Sequence, residues 1–128
     1  MLVGHTEKNF DIDLRYGHDG EKLVHSILSG GYKVEVKTDR LAHSTGNLAI
    51  EYKCRGKWSG ISTTQADWWA FVLCNHSHIL MIRTGELKSL VKRYQLDGKI
   101  KRGGDDGLSE FVLVPLEDIL YFDHVMLK

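Results

Sequence analysis

NLAIEYKC, residues 47–54, is a short apolar run that carries an acidic and a basic side chain two positions apart. Successive side chains of a β-strand point to opposite faces of the sheet. A strand here would therefore bury Leu48 and Ile50 on one face and place Glu51 and Lys53 on the other. A half-exposed strand is the simplest interpretation, since charged residues are rarely buried without a partner. The sequence on either side of the run points to more than a solvated face.

The composition is that of an ordinary globular protein. The chain has 128 residues, 42% hydrophobic and 27% charged, and its formal net charge is zero. This length predicts a single domain, residues 1–128, with one hydrophobic core. No apolar run approaches the ~20 residues of a membrane span, and no signal-peptide core is present, so we expect a cytoplasmic protein. The two cysteines form no CxxC pair, which predicts neither a disulfide framework nor a thiolate zinc site.

The sequence before the central run predicts a short strand and then a helix. Phe10–Arg15, FDIDLR, alternates apolar and polar residues, as an edge strand does. Residues 18–31, HDGEKLVHSILSGG, have apolar positions at helical spacing, with Asp19 as the predicted N-cap and Gly30-Gly31 as the stop. Glu21 falls in the predicted first turn, where the helix dipole favours a carboxylate.

Residues 32–54 predict a pair of strands. YKVEVKTD, residues 32–39, alternates like a strand and is joined to the central run by the turn-forming residues RLAHSTG. Because this connection is short, we expect the two strands to pair antiparallel. Asp39 would then end the first strand, where it could approach Glu51 if the sheet bends.

The sequence after residue 54 predicts alternating helices and strands. RGKWSGIS, residues 55–62, reads as a polar loop. Ser62 and Gln65 match a capping box, so we predict a helix over residues 62–73 with its aromatic residues in the core. The remaining segments are a strand at residues 78–84, a helix capped by Thr84 at residues 84–96, and a mobile loop at residues 99–107. A last strand, at residues 110–115, is followed by a short helix or turn.

Three carboxylates, a lysine and a glutamine occur in a specific order along these elements. Glu21 lies on the first helix, Asp39 ends a strand, Glu51 and Lys53 lie on the next strand, and Gln65 begins the following helix. This order resembles the PD-(D/E)xK nuclease superfamily, and most closely its small phage and bacterial members. The resemblance covers residues 21–83. It implies an α/β fold with a restriction-endonuclease-like core, in which helices flank a central mixed β-sheet.

Two departures from the family pattern stand out. Thr38 precedes Asp39, where the family motif has a proline. Only two clear strands lie between the first helix and the end of the ExK triplet, whereas the family core has three. Either the strand at residues 32–39 bends into two, or residues 58–61 add a strand.

The resemblance implies a Mg²⁺- or Mn²⁺-dependent DNA endonuclease with five catalytic residues: Glu21, Asp39, Glu51, Lys53 and Gln65. The metal ligands would be three carboxylates and a main-chain carbonyl, from Asp39, Glu51, Glu21 and Tyr52. Phosphodiester hydrolysis needs an activated water and a stabilised oxyanion, and hard divalent ions supply both. Mg²⁺ prefers oxygen ligands and keeps several waters. The Lys53 ammonium could orient the water or neutralise charge on the phosphate.

The distribution of charge suggests how a neutral chain could bind DNA. Residues 83–102 contain seven basic and two acidic residues, whereas six acidic residues and one lysine lie from residue 103 onward. Such segregation can create a basic surface that attracts a polyanion, although a solvated helix face explains it equally well. The residues predicted to contact DNA are Arg55, Lys57, Trp58, Lys92, Arg93, Lys99, Lys101 and Arg102.

Two other classes of function fit the same residues. One is a nucleic-acid-binding module of the same fold without catalysis, and the other is an interaction domain whose ExK strand only faces solvent. Cys74, His76 and His78 alternate, but dedicated zinc sites bring four ligands, so a polar connector is the better interpretation. Neither a GxSxG motif nor a P-loop is present, so no nucleotide cofactor is expected. A small nuclease that cuts both strands would act as a homodimer, in the host cytoplasm if it is phage-encoded.

Overall fold

The computed structural model describes residues 7–104 and 106–120. Contacts divide the chain into two compact units, one up to residue 33 and one from residue 34 onward. The first unit contains α1 (Glu7–Leu28), and all other elements belong to the second. Of the helices described, none is long and apolar enough to cross a membrane.

The start of α1 differs from the prediction. Phe10–Arg15 is part of this 22-residue helix, so the predicted strand is wrong. Alternation over six residues also places apolar side chains four positions apart, as at Phe10 and Leu14, and that spacing equally suits one face of a helix. Asp19 is consequently not an N-cap, and Glu21 lies inside the helix rather than in its first turn.

The end of α1 is confirmed. Leu28 is the last helical residue, and Gly30 adopts a φ of +85°, a left-handed conformation that suits glycine. The Gly31 N–H then donates to the carbonyl oxygen of Ser26 at 3.0 Å, which satisfies a carbonyl at the end of the helix.

The described residues of the second unit form seven strands, three helices and one 3₁₀ turn. In chain order they are β1 (Val34–Thr38), α2 (Ala42–Thr45), β2 (Asn47–Cys54), β3 (Lys57–Trp58), the 3₁₀ turn (Gly60–Ser62), β4 (Trp68–Leu73), β5 (His78–Arg83), α3 (Thr84–Leu96), β6 (Ile100–Gly103), β7 (Ser109–Pro115) and α4 (Leu116–Leu120).

These strands form two sheets rather than one central sheet. The first has the order β1-β4-β5 and is mixed, because β4 runs parallel to β1 and antiparallel to β5. The second has the order β3-β2-β7-β6 and is antiparallel throughout. The α/β class with a mixed sheet is therefore confirmed. Side chains of both sheets pack with α3 in one core, to which β2, β4 and α3 contribute Leu48, Ile50, Trp69, Phe71, Leu87 and Val91.

The central run forms the predicted strand, β2. Leu48 and Ile50 are fully buried and lie opposite Val114 and Val112 of β7, which are also buried. Ala49, on the other face, is exposed. The apolar face of β2 thus packs into the core, as its alternation predicts.

The predicted pairing of β1 with β2 is wrong. β1 pairs with β4 in the other sheet, from Val34 opposite Trp68 to Thr38 opposite Val72. The connection to β2 is not a simple hairpin loop, because it contains α2, whose Ala42 is fully buried. This helix redirects the chain, and the hairpin that a short loop would favour does not form.

The predicted helix over residues 62–73 is also wrong. Residues 68–73 form β4, and the four consecutive residues Trp68–Phe71 are buried. A central strand covered on both faces requires such an uninterrupted apolar run, and aromatic residues favour strands. The capping box does not form, because the Ser62 hydroxyl donates to the Tyr52 carbonyl oxygen at 2.8 Å. Gln65 lies exposed in the loop before β4.

The C-terminal elements are mostly as predicted. β5, α3, β7 and α4 are confirmed, but residues 100–103 of the predicted mobile loop form β6 and pair with β7. Thr84 does not cap α3. Arg83 is the N-cap residue, and the Thr84 hydroxyl donates to the Ala66 carbonyl oxygen at 2.7 Å, which fixes the loop before β4.

Candidate active site

Asp39 connects the two sheets through its backbone and its carboxylate. Its N–H donates to the Val72 carbonyl oxygen at 3.0 Å, which continues the pairing of β1 with β4. Its Oδ1 accepts the N–H groups of Leu41 and Ala42 at 3.0 and 2.9 Å, and its Oδ2 accepts the N–H of Ala49 at 3.3 Å. Because Ala49 belongs to β2, the Asp39 carboxylate lies against the edge of the strand that carries Glu51.

Glu51 lies two residues after Ala49, about 7 Å along the strand. The two residues face Phe111 and Leu113 of β7, so they share one face of the second sheet. Glu51 is half-buried, and its Oε2 accepts a hydrogen bond from the Ser59 hydroxyl at 3.0 Å. The Asp39 carboxylate and the Glu51 side chain therefore lie along the same short stretch of β2.

The segment after β3 packs directly against Glu51. Gly60 has a φ of +54°, and a Cβ at this position would lie 2.2 Å from the Glu51 carbonyl oxygen. Only glycine allows the chain to approach this closely in a left-handed conformation. The sequence signal for this contact is the glycine at position 60, within the segment predicted to be a polar loop.

The Tyr52 main-chain carbonyl, a predicted metal ligand, already accepts two hydrogen bonds. Its donors are the Ser59 N–H at 3.1 Å and the Ser62 hydroxyl at 2.8 Å. A carbonyl oxygen has two lone pairs, so both are in use. The Tyr52 side chain points elsewhere, where its hydroxyl donates to Glu110 at 3.0 Å. Burial and this hydrogen bond to a carboxylate raise the pKa of the Tyr52 hydroxyl.

A β-bulge separates Glu51 from Lys53. Glu51 lies opposite Phe111, whereas Lys53 lies opposite Glu110, so Tyr52 is the additional residue on β2. Consecutive residues of β7 point to opposite faces. The strict alternation that predicted a common face for Glu51 and Lys53 is therefore interrupted, and the bulge turns Lys53 away from the face of Glu51.

The Lys53 ammonium packs against an aromatic ring. Its Nζ lies 5.0 Å from the centroid of the Trp58 ring, which is opposite it on β3 and 63% exposed. Within the described chain, no carboxylate forms an ion pair with Lys53. A half-buried ammonium without an anionic partner is available to bind a phosphate.

Two of the predicted catalytic residues, Glu21 and Gln65, belong to other segments of the chain than those that carry Asp39, Glu51 and Lys53. Glu21 belongs to the first unit, where it lies exposed on α1. Gln65 is exposed in the loop before β4. Cys74 and His76 lie in a turn with positive φ values, and His78 begins β5, in agreement with the interpretation as a polar connector.

The oxygen donors at the edge of β2 suit a hard cation. They are the carboxylates of Asp39 and Glu51 and the hydroxyl of Ser59. Among residues 7–104 and 106–120, no three His, Cys, Asp or Glu side chains form a metal-binding group. Two carboxylates nevertheless fit Mg²⁺, which is usually held by one or two carboxylates and keeps several waters.

The predicted DNA-binding residues near β3 differ in ion pairing and exposure. Arg55 is in the β2–β3 turn, and its guanidinium pairs with the Asp106 carboxylate, with a distance of 3.2 Å from Nε to Oδ2. This hydrogen bond is the main cause of the lowered pKa of Asp106. Lys57 and Trp58 are exposed on β3. The loop charge most available to a ligand is therefore that of Lys57.

The other predicted DNA-binding residues lie on α3 and around β6. Arg93 and Lys99 both pack on Tyr94, with the Arg93 Cζ and the Lys99 Nζ at 5.4 and 5.0 Å from the ring centroid. Lys92, Lys101 and Arg102 are exposed, the last two on β6 at the edge of the second sheet. A groove of about 570 Å³ lies beside α3, and Arg93 is the one predicted site residue that lines it.

Comparison of the chain with protein-family models, with curated proteins and with solved structures finds no match. The resemblance to the PD-(D/E)xK nucleases therefore rests on Glu21, Asp39, Glu51 and Lys53 and on their order in the sequence.

Proposed function

We propose that this protein is a metal-dependent DNA endonuclease that hydrolyses phosphodiester bonds at the edge of β2. The observation that carries the proposal is the hydrogen bond from the Ala49 N–H to Asp39 Oδ2, because it holds a second carboxylate beside the strand of Glu51. The Asp39 carboxylate is thus hydrogen-bonded to the strand that carries Glu51, although β1 and β2 belong to different sheets. A restriction-endonuclease-like core, with its strands divided between two sheets, is part of this proposal.

Metal binding, positioning and phosphate binding are assigned to different residues according to their chemistry. Asp39 and Glu51 would hold Mg²⁺ or Mn²⁺, using the free lone pair of Asp39 Oδ2 and the Glu51 oxygens. Such an ion supplies an activated water and stabilises charge on a phosphate oxygen. The Ser59 hydroxyl fixes the rotamer of Glu51 through their hydrogen bond. Lys53 starts on the opposite face beside Trp58 and has no anionic partner in the described chain, so its long side chain would have to extend past the strand to bind the same phosphate.

Two of the predicted site residues have no role in the proposed reaction. The Tyr52 carbonyl is hydrogen-bonded to Ser59 and Ser62, and Gln65 lies in a loop, so neither is assigned a role. Glu21 stays a predicted additional ligand. Water molecules would complete the coordination of the ion. A homodimer, with one copy acting on each DNA strand, and a cytoplasmic location, in the host cell if the protein is phage-encoded, belong to the same proposal.

A non-catalytic nucleic-acid-binding module is the second candidate function. Two hydrogen bonds favour it, because Asp39 Oδ1 accepts them from backbone N–H groups at the start of α2. A carboxylate in that position stabilises a turn without any metal. The two functions share the DNA partner and differ in whether Mg²⁺ binds and whether DNA is cut.

The test uses supercoiled, branched and linear DNA with Mg²⁺, together with calorimetric titration of Mg²⁺. Glu51→Gln keeps the size of the side chain and its hydrogen bond with Ser59 but removes the negative charge. We expect cleavage to fall by about 10²-fold or more, as when one preorganised electrostatic contact is lost. Glu86→Gln, an exposed carboxylate change on α3, is the matched control and should cut at the wild-type rate.

Three outcomes separate the candidates. Mg²⁺-dependent cleavage that disappears in Glu51→Gln supports the endonuclease. DNA binding by the wild type without cleavage in any divalent metal favours the binding module. Cleavage by Glu51→Gln at the wild-type rate would show that the reaction does not occur at this site.

A further inference from the structure

The strand register aligns Glu51 with a lysine at the edge of the second sheet. Glu51 lies opposite Phe111 of β7, and Phe111 lies opposite Lys101 of β6. Side chains of directly opposed residues lie on the same face of a sheet. Glu51, Phe111 and Lys101 therefore form one row across three strands. Neighbouring strands are about 4.8 Å apart, so the Cα atoms of Glu51 and Lys101 are separated by roughly 10 Å.

The adjacent row contains a second set of charged residues on the opposite face. Lys53 lies opposite Glu110, and Glu110 lies opposite Arg102. The Tyr52 hydroxyl donates to Glu110 in the same region, and the positive charge of Arg102 acts on that hydroxyl. Lys101 and Arg102 are thus adjacent exposed cations that face opposite sides of the sheet.

Three of the other predicted DNA-binding residues have charged groups that already contact a partner. Arg55 pairs with Asp106, and Arg93 and Lys99 pack on the ring of Tyr94. Lys101, in contrast, forms no ion pair with any carboxylate in the parts of the chain that the structure describes. It is the exposed cation in the row of Glu51, and no described acidic side chain competes for it.

We infer that DNA lies across the face formed by β2, β7 and β6, and that Lys101 binds a backbone phosphate near the one that is hydrolysed. This inference rests on the proposed function. The carboxylates of Asp39 and Glu51 would hold one phosphate through a bound divalent ion, and the extended side chain of Lys101 would reach a phosphate one or two nucleotides away. Phe111, half-buried between the two charges with its ring against Gly103, offers an apolar surface to the sugars.

The experiment compares Lys101→Ala with Arg102→Ala. Both remove one positive charge from neighbouring exposed positions of β6, so any long-range electrostatic effect is matched. Binding of the full-length protein to a duplex is measured in Ca²⁺ at several salt concentrations. One phosphate contact contributes a slope of about −0.9 to the dependence of log affinity on log salt. Lys101→Ala should flatten the slope by about that amount, and Arg102→Ala, whose side chain starts on the opposite face, should flatten it by clearly less.

Controls keep the result specific to the contact. Lys101→Arg retains the charge and should restore the wild-type slope, which a merely structural effect of position 101 would not explain. Far-UV circular dichroism checks that the variants fold. Equal slopes for Lys101→Ala and Arg102→Ala, or a larger change for Arg102→Ala, would overturn the inference while leaving the endonuclease intact. Absence of DNA binding by the wild type would overturn both.

Discussion

Replacement of Gly60 by alanine tests the contact between the 3₁₀ turn and β2 most directly. A Cβ at position 60 would lie 2.2 Å from the Glu51 carbonyl oxygen and 2.9 Å from its carbonyl carbon. Both are backbone atoms of a strand that is paired with β7, so they cannot rotate away as the end of a side chain could. The turn, the strand or both must move.

The expected loss of stability has two parts. Alanine in the left-handed conformation of Gly60 costs about 1–2 kcal/mol. Reaching ordinary van der Waals separation from the carbonyl oxygen needs a shift of roughly 1 Å, and overpacking of this kind costs about 1–3 kcal/mol. We therefore expect Gly60→Ala to lower the free energy of unfolding by about 2–5 kcal/mol. A protein of this size has about 5–15 kcal/mol in total.

Gly56→Ala is the matched control. Gly56 has a φ of +76°, but nothing lies within 4 Å of a Cβ built on it. It should therefore show the conformational part alone, about 1–2 kcal/mol. Urea unfolding followed by circular dichroism gives both values. If Gly60→Ala loses no more stability than Gly56→Ala, the close approach of the turn to Glu51 does not exist in solution, and the positioning of Glu51 by this segment is refuted.

Three further predictions concern the surroundings of the site. Asp39→Ala should lower the free energy of unfolding by about 1–3 kcal/mol, since three backbone N–H groups lose their acceptor; unchanged urea unfolding would refute that role. Ser59→Ala should weaken Mg²⁺ binding by about 10-fold in calorimetry, whereas Ser62→Ala, whose hydroxyl donates to a backbone carbonyl, should not; equal effects would show that the turn matters only for folding. Arg55→Gln should raise the pKa of Asp106 in an NMR titration, because the hydrogen bond from Arg55 lowers that pKa. The pair stabilises the fold at pH values above the ordinary carboxyl pKa of about 4. This contribution is lost as the pH falls through the lowered pKa of Asp106.

Local sequence patterns determined the elements whose burial is periodic or whose ends carry a specific signal. The alternation of Leu48 and Ile50 with Ala49 and Glu51 predicted β2 with the correct buried face, because one face packs in the core. A helix was predicted over residues 84–96, where α3 forms, and glycine at position 30 predicted the end of α1. In each case the physical cause acts over a few neighbouring residues, so the sequence contains it.

The candidate site could be predicted in its residue types and only partly in its geometry. Asp39, Glu51 and Lys53 are its candidates because of their order along the chain. Their spacing could not reveal the bulge at Tyr52, which turns Lys53 toward the opposite face, because the bulge depends on the register with β7. Ser59 gave no signal at all, since its hydrogen bond with Glu51 arises from the path of the chain after β3.

Strand partners were decided by the tertiary structure alone. Trp68–Phe71 is apolar at every position, a pattern that suits a buried helix as well as a buried strand. It becomes a strand because β1 and β5 supply hydrogen-bonding partners on both sides and the core covers its faces. The same pairing removes β1 from β2 and leaves an edge at which the Asp39 carboxylate accepts the Ala49 N–H. Hydrogen bonds between strands join residues far apart in the chain, so no local pattern specifies them.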